Sequence, residues 1–450
     1  MFILGNLFYE NGFAFLIVIS SKELNEYTYL DKTNITNNVN IFRYKIKINP
    51  KEDIKIGKKI INIPDTPPQL NNTSIYFLSC DGKNAFNNVF VGPVKLYNIK
   101  NKDETDDMWK KLYMDLKKDN NDYKYVIHMG DQIYLEDAND EIKILDAENN
   151  DDKIKKIYYS KYKKNYNNKY KKKVLESAFN VMIQDNHDTE INYGNEEELS
   201  KKMVKYSKLM YVTLQENLYG INNNIIKHLQ FDDFQIIIPD LRKYRKPNTS
   251  TTQFPIMGKT QIKELNDIIS NTPTKIKKTF YVNTIPFLLV NKYIDKISFI
   301  IFRSYLKKDF KSDHYVSSDS YMNERKYVIN KLFTLNNVII VAGDKHLADY
   351  QVLKKNDKRM LHITSSPMSS NPSASSLYSF SGLIKLIAKV SVIFVNKFMY
   401  EKKINNIKIQ KKWFVSDYNY LKVNNNKAML KCYLKKNNKT IRLENNDSEA

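Results

Sequence analysis

The alternation of apolar and polar positions changes character near residue 73. Before that point, short apolar runs alternate with polar turns: FAFLIVIS at 13–20, YTYL at 27–30 and IFRYKIKI at 41–48. Such runs, rich in β-branched and aromatic residues, predict strands. Residues 1–70 therefore read as a small all-β module, closed by the proline-containing linker IPDTPPQLNN at 63–72. Beyond it, SIYFLSC at 74–80 predicts a strand, and DETDDMWKKLYMDLKK at 103–118 a helix whose acids and lysines complement its dipole. YKYVIHMG at 123–130 predicts the next strand. Strand, helix, strand in this order favours parallel pairing with helices packed on the sheet. Further strands are predicted at 179–183, 234–239, 337–342 and 360–365, and a hairpin at 420–434. Residues 139–173 are polar, with many lysines and asparagines, and read as an insertion leaving the core. The expectation is an α/β chain in which 71–450 forms the main domain.

Composition modifies this picture little. An apolar content of 42% is enough for a core in a chain of 450 residues. The formal charge of +22 would attract polyanions and acidic membrane surfaces. The lysines are dispersed, however, and abundant Lys, Asn, Ile and Tyr carry the imprint of an AT-rich genome. Two cysteines, Cys80 and Cys432, make no disulfide framework and favour a reducing compartment. The N-terminus lacks a basic stretch before its apolar residues and does not read as a signal peptide. Residues 382–399, GLIKLIAKVSVIFVNKFM, place Lys385 and Lys389 inside an apolar run. They predict an amphipathic helix rather than a membrane span, with peripheral membrane contact as its minor alternative. These grounds leave the location cytoplasmic or unassigned, and no specific protein partner is implied.

The chemistry gathers at the ends of the predicted strands, where open α/β sheets place functional groups. Cys80 and Asp81 follow the first strand of the strand–helix–strand unit, and Gly130, Asp131 and Tyr134 follow the next. Gln184, Asp185, Asn186, His187 and Asp188 follow FNVMI; Asp240, Arg242 and Arg245 follow FQIIIP; Gly343, Asp344, Lys345 and His346 follow NVIIVA. Aspartate, asparagine, histidine, tyrosine and one thiolate are a metal-ligand inventory in which hard oxygens suit a hard cation and a thiolate suits iron or zinc. Two metals bridged by a carboxylate can clamp a phosphate and lower the pKa of a bound water.

Six short segments, SCD at 79–81, GDQIY at 130–134, DNHD at 185–188, DLRKYR at 240–245, GKTQ at 258–261 and GDKH at 343–346, together resemble the PhoD-like metallophosphatases, in the same order and over roughly 75–370. TSSPMSSNP at 364–372 is similar to that family's Ser-Ser-Pro segment. The resemblance implies a calcineurin-like metallophosphoesterase sandwich of mixed sheets flanked by helices, with a multinuclear site. It implies that Cys80, Asp131, Tyr134 and Asp344 hold a ferric ion. Asp131 would bridge to a second ion, typically calcium, with Asp185, Asn186 and His346 as its other ligands. Where the family has Trp-Asp-Asp-His, this chain has Gln184-Asp185-Asn186-His187. The change removes one negative charge and leaves the metals open to zinc or manganese. The twin-arginine signal of secreted bacterial members is not seen.

The function expected is metal-dependent hydrolysis of phosphate mono- or diesters by a metal-bound hydroxide, the work of an alkaline phosphatase or phosphodiesterase. His187 would act as the acid towards the leaving oxygen, and Arg242 or Arg245 would bind the phosphate. The alternative is a basic polyanion-binding protein that keeps the fold without turnover.

Overall fold

A computed structural model of the chain describes residues 1–10, 13–48, 53–56, 59–61, 63–64, 66–82, 90–91, 94–95, 104–134, 139–188, 201–220, 225–247, 249–288, 315, 317–369, 402–415, 418–424, 427–432 and 439–443. The segment 382–399 lies outside the described residues. Among the described ones, no helix is long and apolar enough to cross a membrane.

Two large mixed sheets face each other across a shared core. The first has six strands, with Phe179–Ile183, Tyr123–Met129 and Thr73–Leu78 pairing in parallel as the strand–helix–strand pattern predicts. The second has eight strands, and within it Phe234–Ile238, Lys278–Asn283, Val338–Ala342 and Lys358–Thr364 run parallel. Val338–Ala342 is a continuous apolar run buried along its length, and Phe234–Ile238 is buried throughout with Gln235 its one polar residue, as suits parallel strands covered on both faces. Phe77, Ile127 and Val181 of the first sheet share one core cluster with Ile236, Phe280 and Val341 of the second. Helix Glu104–Lys118 covers the outer face of the first sheet through Met108, Trp109, Leu112 and Leu116. Helices Gly258–Ser270 and Asp319–Leu332 cover that of the second.

The predicted hairpin near the C-terminus has an unpredicted position. Strand Asn419–Asn424 pairs antiparallel with Lys427–Cys432, and on its other side with Thr73–Leu78. It therefore extends the first sheet from its parallel half.

The N-terminal module is a four-stranded antiparallel sheet of Phe2–Glu10, Phe13–Ser20, Val39–Ile48 and Asp31–Thr36 in that spatial order. One face, with Leu16 and Val18, joins the core cluster of the two large sheets, and the Tyr125 hydroxyl donates to Leu7 O at 3.2 Å. The other face, with Ile3, Ile19, Ile35 and Ile41, packs on helix Asp151–Tyr166. That helix belongs to the polar 139–173 segment, which folds as three helices here. Among its lysines, Ile154, Tyr158, Tyr162 and Tyr166 form a buried stripe at helical spacing.

Candidate metal centre

The carboxyl ends of both sets of parallel strands open on one seam between the large sheets. From the first sheet come the turns 79–82, 130–134 and 184–188; from the second come 240–245, 343–346 and 365–369. Backbone bonds stitch the seam: Met368 N–H donates to Ser79 O at 2.8 Å, and Ser369 N–H to Cys80 O at 3.3 Å. Four residues of these turns hold the left-handed backbone conformation without being glycine: Cys80 at φ 56°, Asp131 at 55°, Asp344 at 67° and His346 at 50°. Such conformations persist where the surroundings over-determine them, and they cluster at functional sites. Gly130 also lies there, at φ 86°, and a Cβ at this position would fall 2.4 Å from the Cβ of Asp185. Only glycine lets the two turns approach so closely.

Asp131, Asp185 and Asp344 each bring a carboxylate oxygen within 4.8 Å of the other two. The Cys80 thiol donates to Asp131 Oδ2 at 3.4 Å and accepts from Ser366 Oγ at 3.0 Å. The Tyr134 hydroxyl is 3.4 Å from the same Asp131 oxygen and 3.1 Å from His346 Nε2. Its ring stacks on His187 at 4.2 Å, while the His187 backbone N–H donates to Asp131 Oδ1 at 3.3 Å. Asn186 lies at the cluster's edge, its Oδ1 accepting from Arg242 Nη2 at 3.4 Å, and Arg242 Nε is ion-paired with Asp185. Arg245 lies elsewhere, its guanidinium 4.9 Å over the ring of Tyr321. The structure thus brings Cys80, Asp131, Tyr134, Asp185, Asn186, His187, Arg242, Asp344 and His346 together, while Arg245 has Tyr321 and the charge of Glu324 among its contacts.

The electrostatics are those of a cluster that could hold a cation. Burial pushes the Asp131 carboxyl up to about 6; His187 and Arg242 pull it down, and Asp185 adds to the rise. Burial raises the Cys80 thiol well above its ordinary value, with Asp131 and Asp344 adding to the effect. Clustered buried carboxylates and a thiol cannot all ionise together without positive charge between them. Hard oxygens with one sulfur and an imidazole are a donor set that fits a di- or trivalent metal.

Two supporting groups, Asp188 and Asp81, hold the turns in place. Asp188 is fully buried and accepts the backbone N–H groups of Asp131 at 2.8 Å, Gln132 at 3.0 Å and Asp185 at 2.9 Å, plus the Gln215 amide at 3.0 Å. It ties the 130–134 turn to the 184–188 turn. Asp81 ties down the Cys80 turn: its backbone N–H donates to Asp131 O at 2.8 Å, and its side chain accepts from Trp109 Nε1 at 2.9 Å and from Ser369. It is also ion-paired with the buried Lys171 from the helical 139–173 segment. Burial would raise the Asp81 carboxyl, but Lys171 together with the hydrogen bonds from Ser369 and Trp109 holds it below its ordinary value.

A family model described as PhoD-like phosphatase matches residues 105–428. Among solved structures, a structure of PhoD aligns at a TM-score of 0.55 and 12% identity, covering 96% of this chain and 85% of that one. This likeness is one of fold. A purple acid phosphatase from yellow lupin (Lupinus luteus) seeds aligns at 0.47 and 10% identity, covering 98% of this chain and 68% of that one. A dimetal phosphatase from Danio rerio aligns at 0.41 and 9% identity, over 83% of this chain and 100% of that one. These last two scores are too low to build on. No curated protein matches the sequence.

Proposed function

Since the chain belongs to the PhoD-like phosphatase family, we propose that it hydrolyses phosphate mono- or diesters at a multinuclear metal centre on the seam between its two large sheets. The observation that carries this reading is the convergence of Asp131, Asp185 and Asp344 within 4.8 Å at strand ends. Cys80, Asp131, Tyr134 and Asp344 would surround one ion, ferric iron by family resemblance. Asp131, Asp185, Asn186 and His346 would surround a second, with calcium, zinc or manganese open there. Metal ions so held supply Lewis acidity and a water activated near neutral pH.

The chain's own residues do the rest. Asp188 and Asp81 hold the ligand-bearing turns in register. His187, kept flat by its stack on Tyr134, delivers a proton to the leaving oxygen. Arg242 is fixed by Asp185 and Asn186, so its position is set before substrate arrives. Arg242 gives the site positive charge for the phosphate oxygens from within the cluster, with Arg245, over the ring of Tyr321, the further candidate.

The test is metal analysis of the purified chain together with hydrolysis of an aryl phosphate and an aryl phosphodiester, before and after chelation. Turnover lost on chelation and regained with metal is expected; full turnover by metal-free protein refutes the proposal. The iron assignment has its own check. A phenolate on ferric iron gives a visible charge-transfer band, which Tyr134→Phe should bleach while leaving the ring's stack on His187. A colourless protein with stoichiometric iron excludes Tyr134 as a ligand.

A further inference from the structure

Lys345 stands between Asp344 and His346 and has no role in the reading above. Its backbone N–H donates to Gly343 O at 2.9 Å. Its Nζ lies 2.9 Å from Asp344 Oδ2, with the lysine side chain 16% exposed and the aspartate 15%. Two of the three converging carboxylates therefore each carry a cation of the chain, Arg242 on Asp185 and Lys345 on Asp344. The two cations are not equivalent. Arg242 is buried and planar, and engages Asp185 and Asn186 at once. Lys345 is a point charge on a flexible four-carbon stem at the open edge of the cluster.

We infer that Lys345 is a substrate-binding residue with two stations: its ammonium rests on Asp344 while the cluster holds no cation, and turns to the phosphate of a bound ester when a cation claims Asp344. The inference rests on the phosphoesterase reading. Its physical basis is simple electrostatics. A metal ion and an ammonium cannot share one carboxylate oxygen without repulsion, and of the two the side chain on the flexible stem can leave. The phosphate of a bound ester then offers it a second negative charge. A phosphomonoester carries up to two negative charges on its terminal oxygens and a diester one, so an additional cation favours the monoester.

The test uses the full chain, stripped of metal, as wild type, Lys345→Met and Lys345→Arg. Each is titrated with Mn²⁺ by calorimetry and then assayed on 4-nitrophenyl phosphate and bis(4-nitrophenyl) phosphate. Lys345→Met should bind Mn²⁺ at least roughly fivefold more tightly, because a like charge a few ångströms away has gone. Its KM for the monoester should rise roughly tenfold, the usual cost of a lost charged contact, with a smaller change for the diester. Lys345→Arg should restore most of the monoester KM. If the methionine variant does not fold, Lys345→Gln carries both readouts. Unchanged or weaker Mn²⁺ binding overturns the competition for Asp344, and equal loss on both esters overturns the preference for monoesters. A wild type that binds Mn²⁺ but cleaves neither ester overturns the substrate half together with the phosphoesterase reading, while the titration still decides whether Lys345 competes with the metal.

Discussion

His187 shows how a single side chain can be tested apart from its neighbours. It touches the cluster through a ring stack on Tyr134 and through its backbone N–H to the Asp131 carboxylate. His187→Ala should therefore lower kcat by roughly 10²–10⁴-fold, the range for a lost general acid, with metal content nearly unchanged by elemental analysis. Loss of metal would make His187 a ligand instead. At this scale the sequence was most informative. Cys80, Asp131 and Asp344 stand out because each closely follows an apolar run, with Tyr134 and His346 a few residues on, and strand ends converge in such sheets. Asp188 closes the DNHD motif, yet nothing in the sequence marks what it does. Its work, accepting three backbone N–H groups from two turns, depends on an approach of chain segments that no local spacing encodes. Lys171 left still less trace, as one lysine in a run of lysines.

The helical 139–173 segment was the element least legible in advance. Its lysines and asparagines suggested a solvated excursion, whereas Tyr158, Tyr162 and Tyr166 recur every fourth residue and form a buried face. Tyrosine is so common in this chain that the stripe does not stand out from composition. The segment reaches the metal centre through Lys171 and Asp81, and removing one partner of a buried pair strands the other. Lys171→Met should cost about 3–5 kcal/mol in denaturant unfolding and lower metal content as the Cys80 turn loosens. Adding Asp81→Asn should recover part of both losses. On the second sheet, Glu324 of helix Asp319–Leu332 accepts the backbone N–H groups of Ile256 at 2.7 Å and Met257 at 2.8 Å. Burial pushes its carboxyl up to about 7, with these bonds and Arg245 offsetting part of the rise. The folded chain keeps this proton up to about pH 7, while the unfolded chain releases it near the ordinary 4.5. Between those values the folded state binds more protons, so this group's contribution to stability falls as pH rises and levels off above 7. Denaturant midpoints of wild type and Glu324→Gln measured across that range should differ in slope, the wild type losing more stability towards neutral pH; parallel profiles would contradict the assignment.

At the scale of the molecule, the sequence supported the parallel sheets and the hairpin near the C-terminus but not their junction. Periodicity reports which residues are apolar, not which strand a hairpin will join. Here Asn419–Asn424 pairs with Thr73–Leu78, and Asn419 bonds Ser365 and Ser366, the second of which donates to the Cys80 thiol. A chain truncated at residue 418 should expose the edge of Thr73–Leu78 and lose both its metal and its cooperative thermal transition. Retention of metal and a sharp melt would show that the hairpin is dispensable. The same pairing has a consequence for how the protein is made. A ribosome delivers residues 73–369, with every proposed ligand, well before Asn419 leaves the exit tunnel. Until then the central strand carrying Cys80 has a bare flank, a template for pairing with other chains. Metal loading would be a late event in synthesis, and a nascent chain stalled before residue 419 would be work for a chaperone rather than a working catalyst.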